Sequence, residues 1–225
     1  NYDYLLTEPN QILNSNNLSY KKFTPFYNNA IVKINKFTIN NISFKNKIFN
    51  KINYIQDINL KNEFIKLIIP DYNSKLLGGR SEGLKKLNNI KKLKNYDDNR
   101  NYLNYETSLL AAYTKYGCIS IREVFNKSVI ELGIKSDFVK QLFWRDFYTL
   151  ILNEANSFDI SNKYASIKWI NNISHFNLWK IGNTGFPIVD ANMRALNKEG
   201  WMHNRGRLIV ASFLIKTLGI DWKKG

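Results

Sequence analysis

One helix dominates the sequence. Across residues 136–154, Phe138, Leu142, Phe143, Phe147, Leu150 and Ile151 recur at three- and four-residue spacing, so they make a single apolar stripe 3.6 residues in period. A stripe that long needs a core to lie against, and the chain can supply one. Of its 225 residues, 44% are hydrophobic. The same helix carries a second stripe, Gln141, Trp144, Arg145 and Tyr148, at i, i+3, i+4 and i+7. A carboxamide, an indole, a guanidinium and a phenol on one face can stack on a base, read its edge and hold a phosphate. The blander reading, favoured slightly by periodicity alone, is a half-exposed face with a surface pair between Arg145 and Asp146.

The pattern stays helical from Ser81 onward. Leu84, Leu87 and Ile90 line a basic helix after the Gly78-Gly79 turn. Thr107 to Tyr116 begins another element, whose adjacent hydroxyls Thr107 and Ser108 could hold phosphate at free helix N–H groups or simply cap the helix. Ser120 and Glu123 have capping-box spacing. Further helices are expected at 188–198 and 204–218, the second opening on Asn204, Arg205 and Arg207 although the rest of it is strongly apolar. Two arginines and a carboxamide at the start of such a helix suggest a pocket for an anion or a base. Asp190 suits the positive end of its helix dipole, or pairs with Arg194 at i+4. Trp179 is core or surface, and His175 and His203 read as structural. Upstream, the spacing predicts a short helix from Glu8 to Leu13, an extended or turning segment over Tyr20–Tyr27, and a long linker over 31–75 with a short element near Asp57–Leu67.

Charge narrows the partner. Lys and Arg number 33 against 18 Asp and Glu, a net +15, which favours a polyanion because phosphate neutralisation releases counterions. Heavy use of Asn, Ile and Lys accounts for roughly half of that excess, so the scarce arginines are the better guide. A single cysteine, Cys118, excludes an internal disulfide, and two histidines argue against zinc. The longest apolar run, Leu208 to Ile215, falls far short of the ~20 residues of a membrane span. The expectation is a soluble, intracellular, basic, mainly α protein with a nucleotide-like pocket and no membrane partner.

Several segments, in order along the chain, carry a resemblance: YKKFTPFY (20–27), the GGR turn (78–80), TSLLAAYTKYGCISIREV (107–124), QLFWRDFY (141–148), and TGFPIVDANMRALNKEGWMHNRGRLIVASFLIKTLGIDW (184–222). Together they resemble the DNA photolyase/cryptochrome family, nearest to the class I cyclobutane pyrimidine dimer photolyases. The resemblance implies a helical FAD-binding domain over 76–225, preceded by a linker over 31–75 and by residues 1–30 as the end of an α/β antenna domain. It implies FAD, damaged double-stranded DNA as partner, and light-driven dimer repair by electron transfer from reduced FAD. A cryptochrome-like light sensor or an inactive DNA-binding remnant are the alternatives on the same scaffold.

By matching motif, Tyr96, Thr107, Ser108, Leu109, Leu110 and Ala111 would touch FAD, with the hydroxyl pair on its phosphates. Gln141, Trp144, Arg145 and Tyr148 would line the junction of flavin and lesion, Trp144 stacking on the dimer. Asn204 would sit between the two, Arg205 and Arg100 on the DNA backbone, and Arg207 beside the isoalloxazine. Trp179 would be the solvent-side end of a tryptophan chain that reduces the flavin. Asn204, where 6-4 photolyases place histidine, favours cyclobutane dimers. The sequence departs from the family's pattern at Ala111-Ala112 in place of Ser-Pro, at Gln141 in place of a carboxylate, and at Leu208 in place of methionine. The resemblance covers only part of the family's length. It leads one to expect a folate- or deazaflavin-type antenna chromophore in a full-length protein but not on this chain, and a second chain supplying the remaining N- and C-terminal parts.

Overall fold

The computed structural model describes residues 4–8, 11–34, 75–155 and 166–225, together with Glu63. It is helical, and the one β contact among the described residues is a bridge between Leu13 and Ser19. The elements in chain order are α1 (Phe23–Lys33), α2 (Arg80–Asn88), a 3₁₀ segment (Ile90–Asn95), α3 (Tyr96–Asn99), α4 (Ala111–Lys115), α5 (Ile121–Leu132), α6 (Asp137–Ala155), α7 (Ile173–Ile181), α8 (Pro187–Glu199) and α9 (Asn204–Ser212). The last runs into a π turn, Phe213–Thr217, and a 3₁₀ turn, Trp222–Lys224, follows. None of the described helices is long and apolar enough to cross a membrane.

Two cores organise these elements. The larger gathers the inner faces of α1, α5 and α6 with Leu5, Leu6 and Ile12 from the N-terminal segment. Phe143 of α6 lies at its centre, fully buried, meeting Tyr27 and Phe125 edge-on at 5.2 and 6.0 Å. The smaller core joins α7, α8 and α9 through Trp179, Val189, Met193, Met202, Val210, Leu214 and Ile220. Helices α8 and α9 cross closely because Gly206 has no side chain; a methyl there would overlap the Asn192 carboxamide. Gly182 ends α7 at φ 69° and lies so near α8 that a Cβ would stand 2.7 Å from the Asp190 carbonyl. The two bodies meet where Arg205 Nε donates to Asn101 Oδ1 (2.8 Å) and Lys75 N donates to Glu199 O (3.2 Å).

Several expectations change. Tyr20–Tyr27 is not extended, since its second half forms the start of α1. Pro25 does not prevent the helix. It is the third residue of the helix, where the backbone N–H has no intrahelical acceptor and a proline costs little. Residues 31–33, expected to open the linker, complete α1; the element expected near Asp57–Leu67 lies outside the described residues, Glu63 apart. Gln11–Leu13 forms a turn and a bridge rather than the end of a helix. Asn14 supplies the reason: its Oδ1 accepts from the amides of Asn16 and Leu18 and turns the chain. Helix α7 was not anticipated. Only Trp179 of its nine residues is buried, so no stripe announces it, although Asn172 Oδ1 caps it at His175 N (3.1 Å).

Candidate functional site

Between the two cores lies a cavity of about 630 Å³, within the range that small-molecule sites occupy. Its walls come from four stretches of chain. Helix α6 contributes Gln141, Trp144, Arg145 and Tyr148; the loop before α4 contributes Thr107, Ser108 and Leu110, and α4 itself Ala111; α3 contributes Tyr96; and α9 contributes Asn204, Arg205 and Leu208. Thr114, Ile121, Val124, Phe138 and Leu142 complete an apolar floor. Sequence reasoning placed Phe138 and Leu142 in the core stripe and missed that the stripe's edge also faces a hollow.

The aromatic wall is layered. Trp144 stacks on Phe23 of α1, centroids 3.6 Å apart and planes 7° apart, and Tyr148 stacks on Trp144 at 5.4 Å and 22°. Phe23 comes from the YKKFTPFY segment, where nothing in the local sequence ties it to Trp144. Tyr148 is 60% exposed and so offers ring surface to an incoming group. Tyr96 meets Phe138 edge-on at 5.6 Å. Burial raises the Tyr96 phenol above its ordinary pKa against the pull of the Arg100 and Arg205 charges, which leaves it a neutral donor at the cavity wall.

The Thr107–Leu110 loop differs from the expected helix start. Helix α4 begins only at Ala111, Leu109 is left-handed at φ 54°, and the Leu110 amide already donates to Ser108 Oγ (3.3 Å). The two hydroxyls therefore line the cavity from irregular backbone rather than from the first turn of a helix. Leu109 is buried and is not among the lining residues.

At the opposite wall, His203 caps α9. Its Nδ1 accepts from Arg205 N (3.1 Å), so the proton of the neutral ring resides on Nε2, which is buried without a hydrogen-bond partner. Burial, reinforced by Arg205, lowers its pKa and favours this neutral cap. Asn204, the first residue of α9, is exposed toward the cavity. Arg205 and Leu208 form a ridge shared with a second hollow of about 690 Å³, lined by Leu103, Phe186, Ile188 and Phe213.

Four expected site residues lie outside the cavity lining. Arg207 is exposed, and its Nε donates to the Met202 carbonyl (3.1 Å). Arg100 pairs with Asp97 at 2.8 Å. Trp179 is 7% exposed and donates Nε1–H to the Val210 carbonyl (3.0 Å); it is a core residue here, not a solvent-side one. Leu109 is the fourth. The Arg145–Asp146 surface pair is also corrected: Asp146 is wholly buried, and its Oδ1 lies 3.5 Å from Arg145 Nη1. Asp190 neither merely faces a dipole nor bonds Arg194. It accepts from Thr184 N and Oγ1 (2.7 and 2.6 Å) and from Gly185 N (3.0 Å), while Arg194 Nε donates to Gly182 O (2.7 Å). Burial raises the Asp190 pKa, but those hydrogen bonds and the Arg194 charge outweigh it and hold the carboxyl below its ordinary range.

The helical hollow carries hydroxyls, guanidiniums and carboxamides on its polar parts and stacked rings on one side, the kinds of group that contact nucleotides. Residues 138–225 match the family model described as the FAD binding domain of DNA photolyase. The deoxyribodipyrimidine photo-lyase of Buchnera aphidicola subsp. Acyrthosiphon pisum is 37% identical over 239 residues, covering 100% of this chain and 49% of its own. Among solved structures, a bacterial class III photolyase from Agrobacterium tumefaciens superposes with a TM-score of 0.82 at 29% identity, covering 99% of this chain and 49% of that one. An archaeal photolyase from Sulfolobus tokodaii, solved with two FAD molecules, gives 0.76 at 33% identity over 99% and 48%. The chain belongs to the DNA photolyase/cryptochrome family and spans about half the length of the relatives it matches.

Proposed function

We propose that the cavity binds FAD and receives a cyclobutane pyrimidine dimer flipped from double-stranded DNA, and that the complete protein is a deoxyribodipyrimidine photo-lyase. The observation that carries this reading is the convergence of α3, the 107–111 segment, α6 and α9 on one hollow. The donor set fits the group. Thr107, Ser108 and Arg145 offer hydroxyls and positive charge to a pyrophosphate, and Leu110, Ala111 and Leu142 exclude water. When bound, reduced and photoexcited FAD supplies the electron that opens the dimer ring.

The chain's own residues would then do the positioning. Tyr148, backed by Trp144, presents π surface to the extruded bases. Gln141 and Asn204 offer amide donors and acceptors at the junction. Neither amide has a proton to release near neutral pH, which suits a ring-opening that needs no acid. Arg205 and, outside the cavity lining, the half-buried Arg100 and the exposed Arg207 meet the phosphate backbone. The activity is proposed for this chain together with a polypeptide matching the rest of the relatives' length. That polypeptide would pack on the apolar hollow of Leu103, Phe186, Ile188 and Phe213.

The test is light-dependent repair of ultraviolet-irradiated oligothymidylate with FAD supplied and that polypeptide present. Repair under blue light and none in the dark supports the enzyme; bound flavin without repair points to a sensor; no flavin binding leaves only a DNA-binding remnant. Trp144→Ala is expected to weaken binding of dimer-containing DNA roughly tenfold, as loss of a stacking platform does, with little change on undamaged DNA. Equal loss on both would contradict its stacking role.

A further inference from the structure

Residues 4–7 have no regular secondary structure, yet Leu5, Leu6 and Thr7 are all but inaccessible to solvent. A buried irregular backbone must find its hydrogen-bond partners in side chains. Here α5 and α6 supply them. Asp146 Oδ2 accepts from the Leu6 and Thr7 amides at 2.8 and 3.1 Å. Arg145 Nη1 donates to the Tyr4 carbonyl (2.5 Å), and Arg122 Nε donates to the Leu5 carbonyl (3.3 Å). Asp146 Oδ1 has no hydrogen-bond partner and lies 3.5 Å from Arg145 Nη1. Position 146 falls on the same face of α6 as Leu142, Phe143 and Leu150, where an apolar residue would fill the core at least as well. What a carboxylate adds there is a fixed arrangement of its partners.

We propose that Asp146 is a positioning residue for the cavity: it fastens residues 4–7 to α6, and through the Tyr4 carbonyl and its own free oxygen it sets where the Arg145 guanidinium sits in the cavity wall. The link to cofactor binding rests on the reading of the cavity given above; the link between Asp146 and Arg145 does not. Burial pushes the Asp146 pKa up to about 7, against the pull of the Thr7 amide, the Arg145 charge, the Leu6 amide and the Thr7 hydroxyl. The carboxyl therefore changes charge near neutrality. The neutral form still accepts from both amides but loses its attraction for Arg145.

Other charged groups on the elements packed against Asp146 are few or engaged elsewhere. Helix α5 brings Arg122, which bonds Leu5, Glu123, which pairs with Arg80, and Lys127 and Glu131, which pair together; Asp97 of α3 pairs with Arg100; α1 brings Lys33, which is exposed. Lys22, just before α1, and Glu8, just beyond the segment, are exposed as well. Because the folded pKa is raised, this group's contribution to stability is present in full below the unfolded value of 3.8 and is lost as pH rises through about 7.

The test is an NMR titration of the isotope-labelled chain from pH 5 to 9. It follows the Asp146 carboxyl carbon, the Arg145 Nε–H and the amides of Leu6 and Thr7. All four are expected to share one midpoint near pH 7, and Asp146→Asn is expected to abolish the Arg145 transition. An Arg145 signal that ignores the Asp146 titration, or that titrates unchanged in Asp146→Asn, overturns the proposal. Should that variant fail to fold by circular dichroism, Arg145→Gln is used instead. It removes the facing charge and should move the Asp146 midpoint upward, and an unmoved midpoint refutes the coupling. FAD affinity, read by flavin fluorescence with the completing polypeptide present, should weaken across the same midpoint in the unmodified protein and stay flat in Asp146→Asn. Affinity independent of pH in both refutes the positioning role, whereas no FAD binding at any pH sinks the reading of the cavity and leaves the coupling to be decided by NMR.

Discussion

The two bodies that enclose the cavity are built on different principles. The body of α1, α5 and α6 is held by interlocked aromatic rings, with Phe143 and Phe26 fully buried and Phe147 nearly so. The body of α7, α8 and α9 has a smaller core and depends on close backbone approach at Gly182 and Gly206 and on polar ties such as Asp190 to the 184–185 turn. The first body presents rings, hydroxyls and one guanidinium to the cavity; the second presents Asn204 and Arg205 from the mouth of a capped helix. A ring-packed wall keeps its shape through burial, whereas the wall made by α9 keeps its shape only while its cap and its crossing with α8 hold.

That contrast can be broken most forcefully in the first body. Phe143→Ala leaves a large void among edge-on rings and is expected to lower the unfolding free energy by ~3–5 kcal/mol, measured by urea denaturation. A loss below ~1 kcal/mol would show that this core is not packed as described. In the second body, Gly206→Ala drives a methyl into Asn192 and is expected to cost ~1–3 kcal/mol. Hydrogen exchange should show that loss in residues 187–212 while 121–150 keep their protection; a uniform loss would mean that the bodies are one cooperative unit. Ser120→Ala removes the α5 cap, where Ser120 Oγ accepts from Arg122 N (3.2 Å), at a cost of ~1 kcal/mol, visible as a lower urea midpoint.

The smallest expected effect concerns pH. The folded pKa of His203 lies below its ordinary value of 6.5, so its contribution to stability is present above that value and is lost as pH falls below it. Exchange of the Arg205 amide, measured relative to its intrinsic rate, is therefore expected to accelerate as pH falls below 6.5, with no matching change in the Arg122 amide at the serine-capped start of α5. Parallel acceleration at both sites would remove the distinction between the two walls.

The difference between the bodies also explains what the sequence could reveal. Helix α6 was legible because its stripe is long and one-sided; α5 because Ser120 and Glu123 form a local capping box; α8 because Pro187 and Gly200 mark its ends. The gathering of Gln141, Trp144, Arg145 and Tyr148 onto one face follows from helix geometry alone. Helix α1 was not legible because Pro25 lies where a helix tolerates it. Helix α7 escaped because Ile173, Leu178 and Ile181 are exposed and blur any stripe. The irregular backbone of 107–110 escaped because a left-handed leucine has no sequence signature. Asp146 left one: a carboxylate interrupting an apolar stripe. The sequence offered Arg145 as its nearest partner, and only the fold brings up residues 4–7 to receive it.

The claim that both walls serve one bound group is tested most directly by the FAD dissociation constant, read from flavin fluorescence with the completing polypeptide present. The unmodified protein would be compared with Thr107→Ala/Ser108→Ala on one wall and Asn204→Ala on the other. Lost hydrogen bonds of ~1 kcal/mol each predict severalfold weaker binding in either variant. Undiminished affinity when either wall is altered would contradict a cavity shared between them.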